Sequence, residues 1–110
     1  MNWHPLTTIE QLETIKEASF TKPQLIFKHS TTCSISKMAL SRFEREEAPE
    51  TIQFYYLDLL NYRPLSLAVA EMFSVHHESP QVLLIKNGEC TYDESHYGIM
   101  MDEVIEQASV

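Results

Sequence analysis

The 110-residue sequence is poor in cysteine, glycine and basic side chains, and these shortages exclude several classes of protein. Two cysteines are too few for a disulfide framework or for a structural zinc site built from thiolates alone. Sixteen Asp and Glu residues against eight Lys and Arg residues give a net charge of −8. Because phosphate surfaces attract positive potential, this balance argues against nucleic acid and anionic membranes as partners.

Long apolar runs and a recognisable targeting segment are also missing. The longest uninterrupted apolar runs, such as residues 82–85, fall far short of the ~18 residues that a membrane span needs. No basic segment leads into an apolar stretch at the N-terminus, so no signal peptide is expected. A hydrophobic fraction of 44% is typical of a globular protein. We therefore expect one domain over residues 1–110, located in the cytoplasm with both thiols reduced.

Apolar periodicity predicts eight elements in the order α-β-α-β-α-β-β-α. The predicted helices are residues 8–18, 34–47, 65–73 and 101–108, and the predicted strands are residues 25–27, 52–58, 82–85 and 90–93. The Asn87–Gly88 pair between the last two strands is a strong hairpin signal. Since the β-α-β portion implies a parallel pair with a right-handed crossover, we expect an α/β fold with a mixed four-stranded sheet and helices on both faces.

The same spacing predicts which helical side chains are buried. The expected apolar stripes are Ile9, Leu12 and Ile15 in the first helix and Ile35, Met38, Ala39 and Phe43 in the second. Met72 and Phe73 occupy equivalent positions in the third helix. These methionine and aromatic side chains are therefore interpreted as core residues.

Cys33 carries the candidate chemistry. It follows an apolar strand and a turn rich in Ser and Thr, and it directly precedes the second helix. At a helix N-terminus a thiol meets unpaired backbone N–H groups and the positive end of the dipole, and both favour the thiolate. The thiolate is the nucleophile in disulfide exchange. The alternative is an inert cysteine packed beneath the helix, and position alone leaves both interpretations open.

The neighbours of Cys33 predict a monothiol site. Ser36 stands where a Cys-x-x-Cys pair would have its resolving thiol, and its hydroxyl is a candidate donor to the thiolate. Cys90 lies beyond the hairpin, on the order of 20 Å from the active end, which is too far for a disulfide with Cys33. We therefore expect Cys90 to pack structurally. The residues expected to support the thiolate are Ser34, Ile35, Ser36, Lys28 and His29.

A second candidate element is Ser79–Pro80, which enters a predicted buried strand. Proline has no N–H group to donate, so it fits best at the end of a strand. In a cis peptide bond the backbone of Ser79 would turn outward and could pair with a bound peptide or a thiol-containing ligand. An ordinary trans bond is the commoner case for proline. The hypothesis is that Ser79 and Pro80 line a substrate groove.

The order of these features is the plan of a thioredoxin-like domain, and four segments resemble the monothiol bacilliredoxin family of the bacillithiol system. The segments are residues 27–36 (FKHSTTCSIS), 58–66 (DLLNYRPLS), 77–81 (HESPQ) and 95–96 (SH). The family pattern at the active site is Thr-Cys-Pro-Ile-Ser, and Ser34 replaces its proline here. Met100 likewise stands where the family commonly has a threonine before the last helix.

The resemblance implies an oxidoreductase that removes bacillithiol, or a similar low-molecular-weight thiol, from protein mixed disulfides through Cys33. The small thiol is then a co-substrate, and neither a bound cofactor nor a metal is expected. Because bacillithiol carries carboxylates, the candidate anion-binding residues are Lys37, Arg63, His76 and His77. Two alternatives stay open. One is a monothiol glutaredoxin-like protein that uses another thiol or carries an iron–sulfur cluster, and the other is a non-catalytic binding or sensor module.

Overall fold

A five-stranded mixed sheet with helices on both faces forms the centre of the computed structural model, which describes residues 1–110. The strands are β1 (Trp3–Pro5), β2 (Gln24–His29), β3 (Gln53–Asp58), β4 (Gln81–Lys86) and β5 (Glu89–Ser95). The helices are α1 (Ile9–Ala18), α2 (Ser34–Arg45), α3 (Arg63–Phe73) and α4 (Met101–Ala108), and a 3-10 turn at His96–Gly98 precedes α4. None of these helices combines the length and apolar character needed to cross a membrane.

The strand order in the sheet is β1-β3-β2-β4-β5. Strand β3 is parallel to both β1 and β2, whereas β4 is antiparallel to β2 and to β5. The α/β class and the mixed sheet are confirmed, but the predicted count of four strands is wrong. The additional strand, β1, has only three residues, one of which is Pro5, so it carries no readable alternation.

Alternation along β2 gives the molecule a core on each face of the sheet. Leu25 and Phe27 pack on the side that carries α2 and α4, together with Phe43 and Val104. Ile26 packs on the other side, with the buried residues of α1 and α3. Burial of each such large apolar side chain stabilises the fold by about 1.5–3 kcal/mol. Strand β2 therefore occupies the middle of both cores.

Local signals fix several element boundaries. Helix α1 begins after Thr8, whose side chain accepts the N–H of Gln11 in a reciprocal capping box. The predicted hairpin is present between β4 and β5, with positive φ values of 53° at Asn87 and 82° at Gly88. Helix α2 ends at Arg45, two residues earlier than predicted.

Three apolar side chains predicted to be buried are instead exposed. The exposed fractions are 56% for Ile9, 38% for Ile35 and 63% for Met38. In α2 the residues that face the sheet are Ser36, Ala39 and Phe43. Because Ser36 makes polar contacts with the end of β2, it takes the inward position of the first turn, and Ile35 and Met38 point outward.

Candidate active site

Cys33 is the N-cap residue of α2, at the point where the chain turns from β2 into the helix. Its N–H donates to the carbonyl of Ser30 at 3.2 Å, and its own carbonyl accepts the first helical bond from Lys37 at 3.0 Å. The N–H groups of Ser34, Ile35 and Ser36 consequently have no acceptor within the helix. The sulfur is partly buried, is not in a disulfide and makes no capping hydrogen bond. A free thiol beside unpaired donors has the surroundings expected of a nucleophilic cysteine.

The hydroxyl of Ser36 faces the sheet rather than the sulfur. Ser36 is completely buried, and its Oγ lies 2.6 Å from Nδ1 of His29 and accepts the N–H of Ser30 at 3.0 Å. These two bonds tie the first turn of α2 to the end of β2. The expected hydrogen bond from Ser36 to the thiolate is therefore replaced by a contact that fixes the turn carrying Cys33.

His29 supports this turn as a neutral group. It is buried, and its ring centroid lies 5.7 Å from that of Tyr56 on β3. Burial lowers the pKa of His29 below its ordinary value, and the nearby Asp58 carboxylate only partly offsets this. Near neutral pH His29 acts through its hydrogen bond with Ser36, and it does not add the positive charge expected from the sequence.

Lys28 lies on the opposite face of β2 from His29. Its side chain is completely buried, and Nζ donates to the carbonyl of Ser66 at 3.1 Å and lies 3.1 Å from Nδ1 of His77. Burial lowers the pKa of Lys28 from its ordinary value of 10.5 to about 8. The expected role of Lys28 beside Cys33 is therefore corrected, because the ammonium joins α3 to the loop before Pro80.

The buried Lys28 ammonium predicts a specific pH dependence of stability. Between about pH 8 and pH 10.5 the unfolded chain binds a proton at Lys28 that the folded chain has released. The free energy of unfolding should therefore rise through this window, by up to about 3 kcal/mol relative to Lys28→Met. Urea unfolding of both proteins, followed by the fluorescence of Trp3, checks this at about pH 7 and about pH 10. Identical pH dependence in the two proteins would contradict a buried ammonium.

The loop before β4 lies at the same end of the sheet as the turn that carries Cys33. The Ser79–Pro80 peptide bond is cis, Pro80 is buried, and Oγ of Ser79 is buried without a partner. The carbonyl of Pro80 accepts the N–H of His96 at 3.1 Å. Lys28 pairs with Gln81 across β2 and β4. The turn that follows β2 and the loop that precedes β4 therefore lie at the same end of the sheet. Cys33 and Pro80 therefore lie at the same end of the sheet.

The predicted anion-binding residues are distributed around this end of the sheet, and the Glu78 carboxylate lies beside one of them. Lys37 is exposed on the first turn of α2, and Arg63 is the exposed first residue of α3. Burial and the nearby Lys28 ammonium lower the pKa of His77. Glu78 lies between two imidazoles, 3.7 Å from Nε2 of His76 and 3.7 Å from Nε2 of His96. Sequence reasoning missed this Glu78 contact, because His96 is distant along the chain.

Cys90 has the properties of a structural cysteine. It is partly buried on β5, and its Sγ donates to the carbonyl of Tyr92 at 3.3 Å. Burial raises the pKa of Cys90 to about 11, and the carboxylate of Asp93 acts in the same direction. The Cys90 thiol is therefore protonated at neutral pH, and it is not in a disulfide with Cys33.

Solved structures share this fold over nearly the whole chain. A protein described as a candidate oxidoreductase with a thioredoxin fold has a TM-score of 0.83 and 31% identity, over 96% of this chain and 92% of the other. A thioredoxin from Malassezia sympodialis has a TM-score of 0.76 and 18% identity, over 99% and 92%. Thioredoxin f from spinach chloroplast (short form) has a TM-score of 0.71 and 14% identity, over 97% and 90%. The last two likenesses establish the thioredoxin fold alone.

The family comparison adds the chemistry that the fold leaves open. The family model described as monothiol bacilliredoxin BrxC matches residues 4–104, which include Cys33, Ser36 and Pro80. Together with the related thioredoxin-fold protein at 31% identity, this match supports a thiol redox function. The chain belongs to the monothiol bacilliredoxin family.

Proposed function

We propose that this protein removes bacillithiol, or a similar small thiol, from mixed disulfides on cytoplasmic proteins, with Cys33 as its single nucleophile. The observation that carries the proposal is the position of Cys33. It is a free, partly buried thiol at the N-cap of α2, at the end of the sheet where Pro80 also lies. No second thiol accompanies it, because Ser36 stands at the resolving position and Cys90 is on β5.

The chemistry proceeds through two exchange steps. In the first step the Cys33 thiolate attacks the small-thiol sulfur of the mixed disulfide. A new disulfide forms between Cys33 and the small thiol, and the protein cysteine leaves as a thiolate. In the second step another small-thiol thiolate attacks this adduct. Cys33 leaves as a thiolate, and the two small thiols depart as a disulfide that holds the oxidising equivalents. Neither step requires a bound cofactor.

The surrounding groups have separate roles in this proposal. The unpaired N–H groups of the first turn of α2 stabilise Cys33 as attacking and as leaving thiolate, which is the charged form in both steps. Ser79 and Pro80 form the opposite wall of the groove. Two exposed residues at the same end of the sheet can bind the carboxylates of a small thiol, and these are Lys37 and Arg63.

A transfer experiment tests both the nucleophile and the identity of the thiol. A carrier protein that holds bacillithiol on one cysteine is mixed with the reduced protein, and a second carrier holds glutathione on the same cysteine. Mass spectrometry with peptide mapping should find the bacillithiol adduct on Cys33, and transfer should be faster than from the glutathione carrier.

The alternatives give different results. An adduct on Cys90 alone would contradict the assignment of the nucleophile. Faster transfer of glutathione would indicate a glutaredoxin-like function. No transfer from either carrier would leave a non-catalytic binding or sensor module.

A further inference from the structure

A positively charged groove follows the exposed face of α2 away from Cys33. It has a volume of about 270 Å³ and is lined by Lys37, Met38, Ser41, Arg42 and Arg45. Three of the eight basic residues of the chain thus lie together, although the chain as a whole carries a net charge of −8. The ion pairs of the structure are both between histidine and Glu78, so these three cations have no carboxylate partner within 4 Å.

The groove is partly preformed and partly apolar. Nη2 of Arg42 donates to the carbonyls of Tyr97 at 3.1 Å and Ile99 at 3.2 Å, so its guanidinium is fixed in place without being neutralised. Met38 is 63% exposed within the groove, and Ile35 is exposed one turn earlier, next to Cys33. A surface with fixed positive charge and exposed apolar side chains fits a segment that is both acidic and apolar.

The length of the groove indicates what kind of molecule fills it. Along a helix that rises about 1.5 Å per residue, Arg42 lies ~14 Å and Arg45 lies ~18 Å beyond Cys33. A small thiol bound to Cys33 extends only partway along this distance. An extended polypeptide, at about 3.3 Å per residue, covers it in about four to six residues. The part of the groove at Arg42 and Arg45 therefore matches the protein half of a mixed disulfide, whereas Lys37, on the first turn of α2, is close enough to Cys33 for the small thiol.

From this geometry we infer that the α2 groove docks an acidic segment of the protein substrate, about four to six residues away from the cysteine that carries the small thiol. The inference rests on the proposed function, since it assigns the groove to the protein partner of the Cys33 reaction. The net charge of −8 repels acidic proteins in general, so the groove selects those whose acidic residues stand at the correct distance from the modified cysteine.

Three peptides with the same bacillithiol-blocked cysteine test this. They carry glutamates, glutamines or lysines at the fourth to sixth positions from that cysteine. Exposed charge pairs contribute up to about 1 kcal/mol each, so the acidic peptide should react about threefold to tenfold faster than the glutamine peptide at low salt. The ratio should approach one at about 0.5 M salt, because the charges are then screened. Arg45→Gln should reduce this ratio, whereas Lys16→Gln, which removes the same charge from exposed α1, should preserve it.

The outcomes separate the docking inference from the proposed function. Equal rates for all three peptides, or an unchanged ratio in Arg45→Gln, would overturn the docking inference and leave the Cys33 chemistry intact. A complete lack of reaction with every peptide would contradict the proposed function itself. A dimer that Arg45→Gln dissociates would assign the groove to a second copy. An equal effect of Arg45→Gln on a small acidic disulfide without a peptide would assign it to the small thiol. Either result would overturn the inference.

Discussion

Cys33→Ser should abolish thiol transfer, whereas Cys90→Ser should leave the transfer rate close to that of the unmodified protein. A serine hydroxyl is not ionised near neutral pH and forms no disulfide, so the expected loss is on the order of 10³-fold or more, down to the background rate. Serine is also a preferred N-cap residue, whereas the Cys33 sulfur makes no capping bond. The helix should therefore persist, and lost activity cannot be attributed to unfolding.

Cys90→Ser is the matched control, because it makes the same chemical change at the other cysteine. A serine hydroxyl can keep the hydrogen bond that Cys90 Sγ donates to Tyr92. With its pKa raised to about 11, Cys90 is ionised well below about 1% at neutral pH and contributes no nucleophile. The measurement is the initial rate of small-thiol release from a carrier protein, with thermal unfolding of both variants recorded alongside. Residual transfer in Cys33→Ser that Cys90→Ser removes would show that the wrong cysteine has been assigned.

Ser36→Cys should change the reaction from a monothiol to a dithiol route. Ser36 is completely buried on the first turn of α2, three residues after Cys33, which is the spacing of a Cys-x-x-Cys pair. After the first exchange step the introduced thiol can attack the adduct on Cys33 and expel the small thiol. The expected product is an intramolecular disulfide, in which both cysteine sulfurs have lost their hydrogens and the small thiol is free. Intact-mass spectrometry should show that the Cys33 adduct no longer accumulates.

Ser36→Ala separates the new chemistry from the loss of the serine hydroxyl. It removes the bonds of Ser36 to His29 and Ser30 without adding a thiol, at a cost of about 1–3 kcal/mol in stability. The adduct on Cys33 should still accumulate in this variant. If the adduct also persists in Ser36→Cys, the packing of β2 against α2 holds the introduced sulfur away from Cys33. The dithiol prediction would then be wrong.

Much of the fold could be predicted from the sequence, because its strongest signals are local. The apolar periodicity of the helices, the Asn87–Gly88 turn and the apolar run at residues 82–85 each dictate a structure within a few residues. They placed all four helices and four of the five strands. The position of Cys33 between β2 and α2 followed from these same signals. Strand β1 was missed because only its pairing with β3 makes it a strand.

The wrong and missing parts depend on contacts between distant segments. Lys28 and His29 are adjacent in sequence and were both expected beside Cys33, but alternate residues of β2 point to opposite faces. Lys28 consequently reaches Ser66, and His29 reaches Ser36. The burial of Met38 was predicted from helical spacing, which cannot show that the polar Ser36 takes the inward position of the first turn. The packing of α2 and α3 against the two faces of the sheet decides these contacts, and apolar spacing carries no information about that packing.

The two outer strands of the sheet have a consequence for how this protein meets its partners. The short β1 contains Pro5, which lacks a backbone donor, and the opposite edge strand, β5, carries Glu89, Asp93 and Glu94. Both features discourage another chain from adding itself as a further strand. Side-by-side pairing, which is a common route to aggregation, is thus disfavoured at both margins. In the proposed reaction a substrate polypeptide would instead approach the end of the sheet, where its disulfide meets the Cys33 sulfur before its backbone can form a ladder.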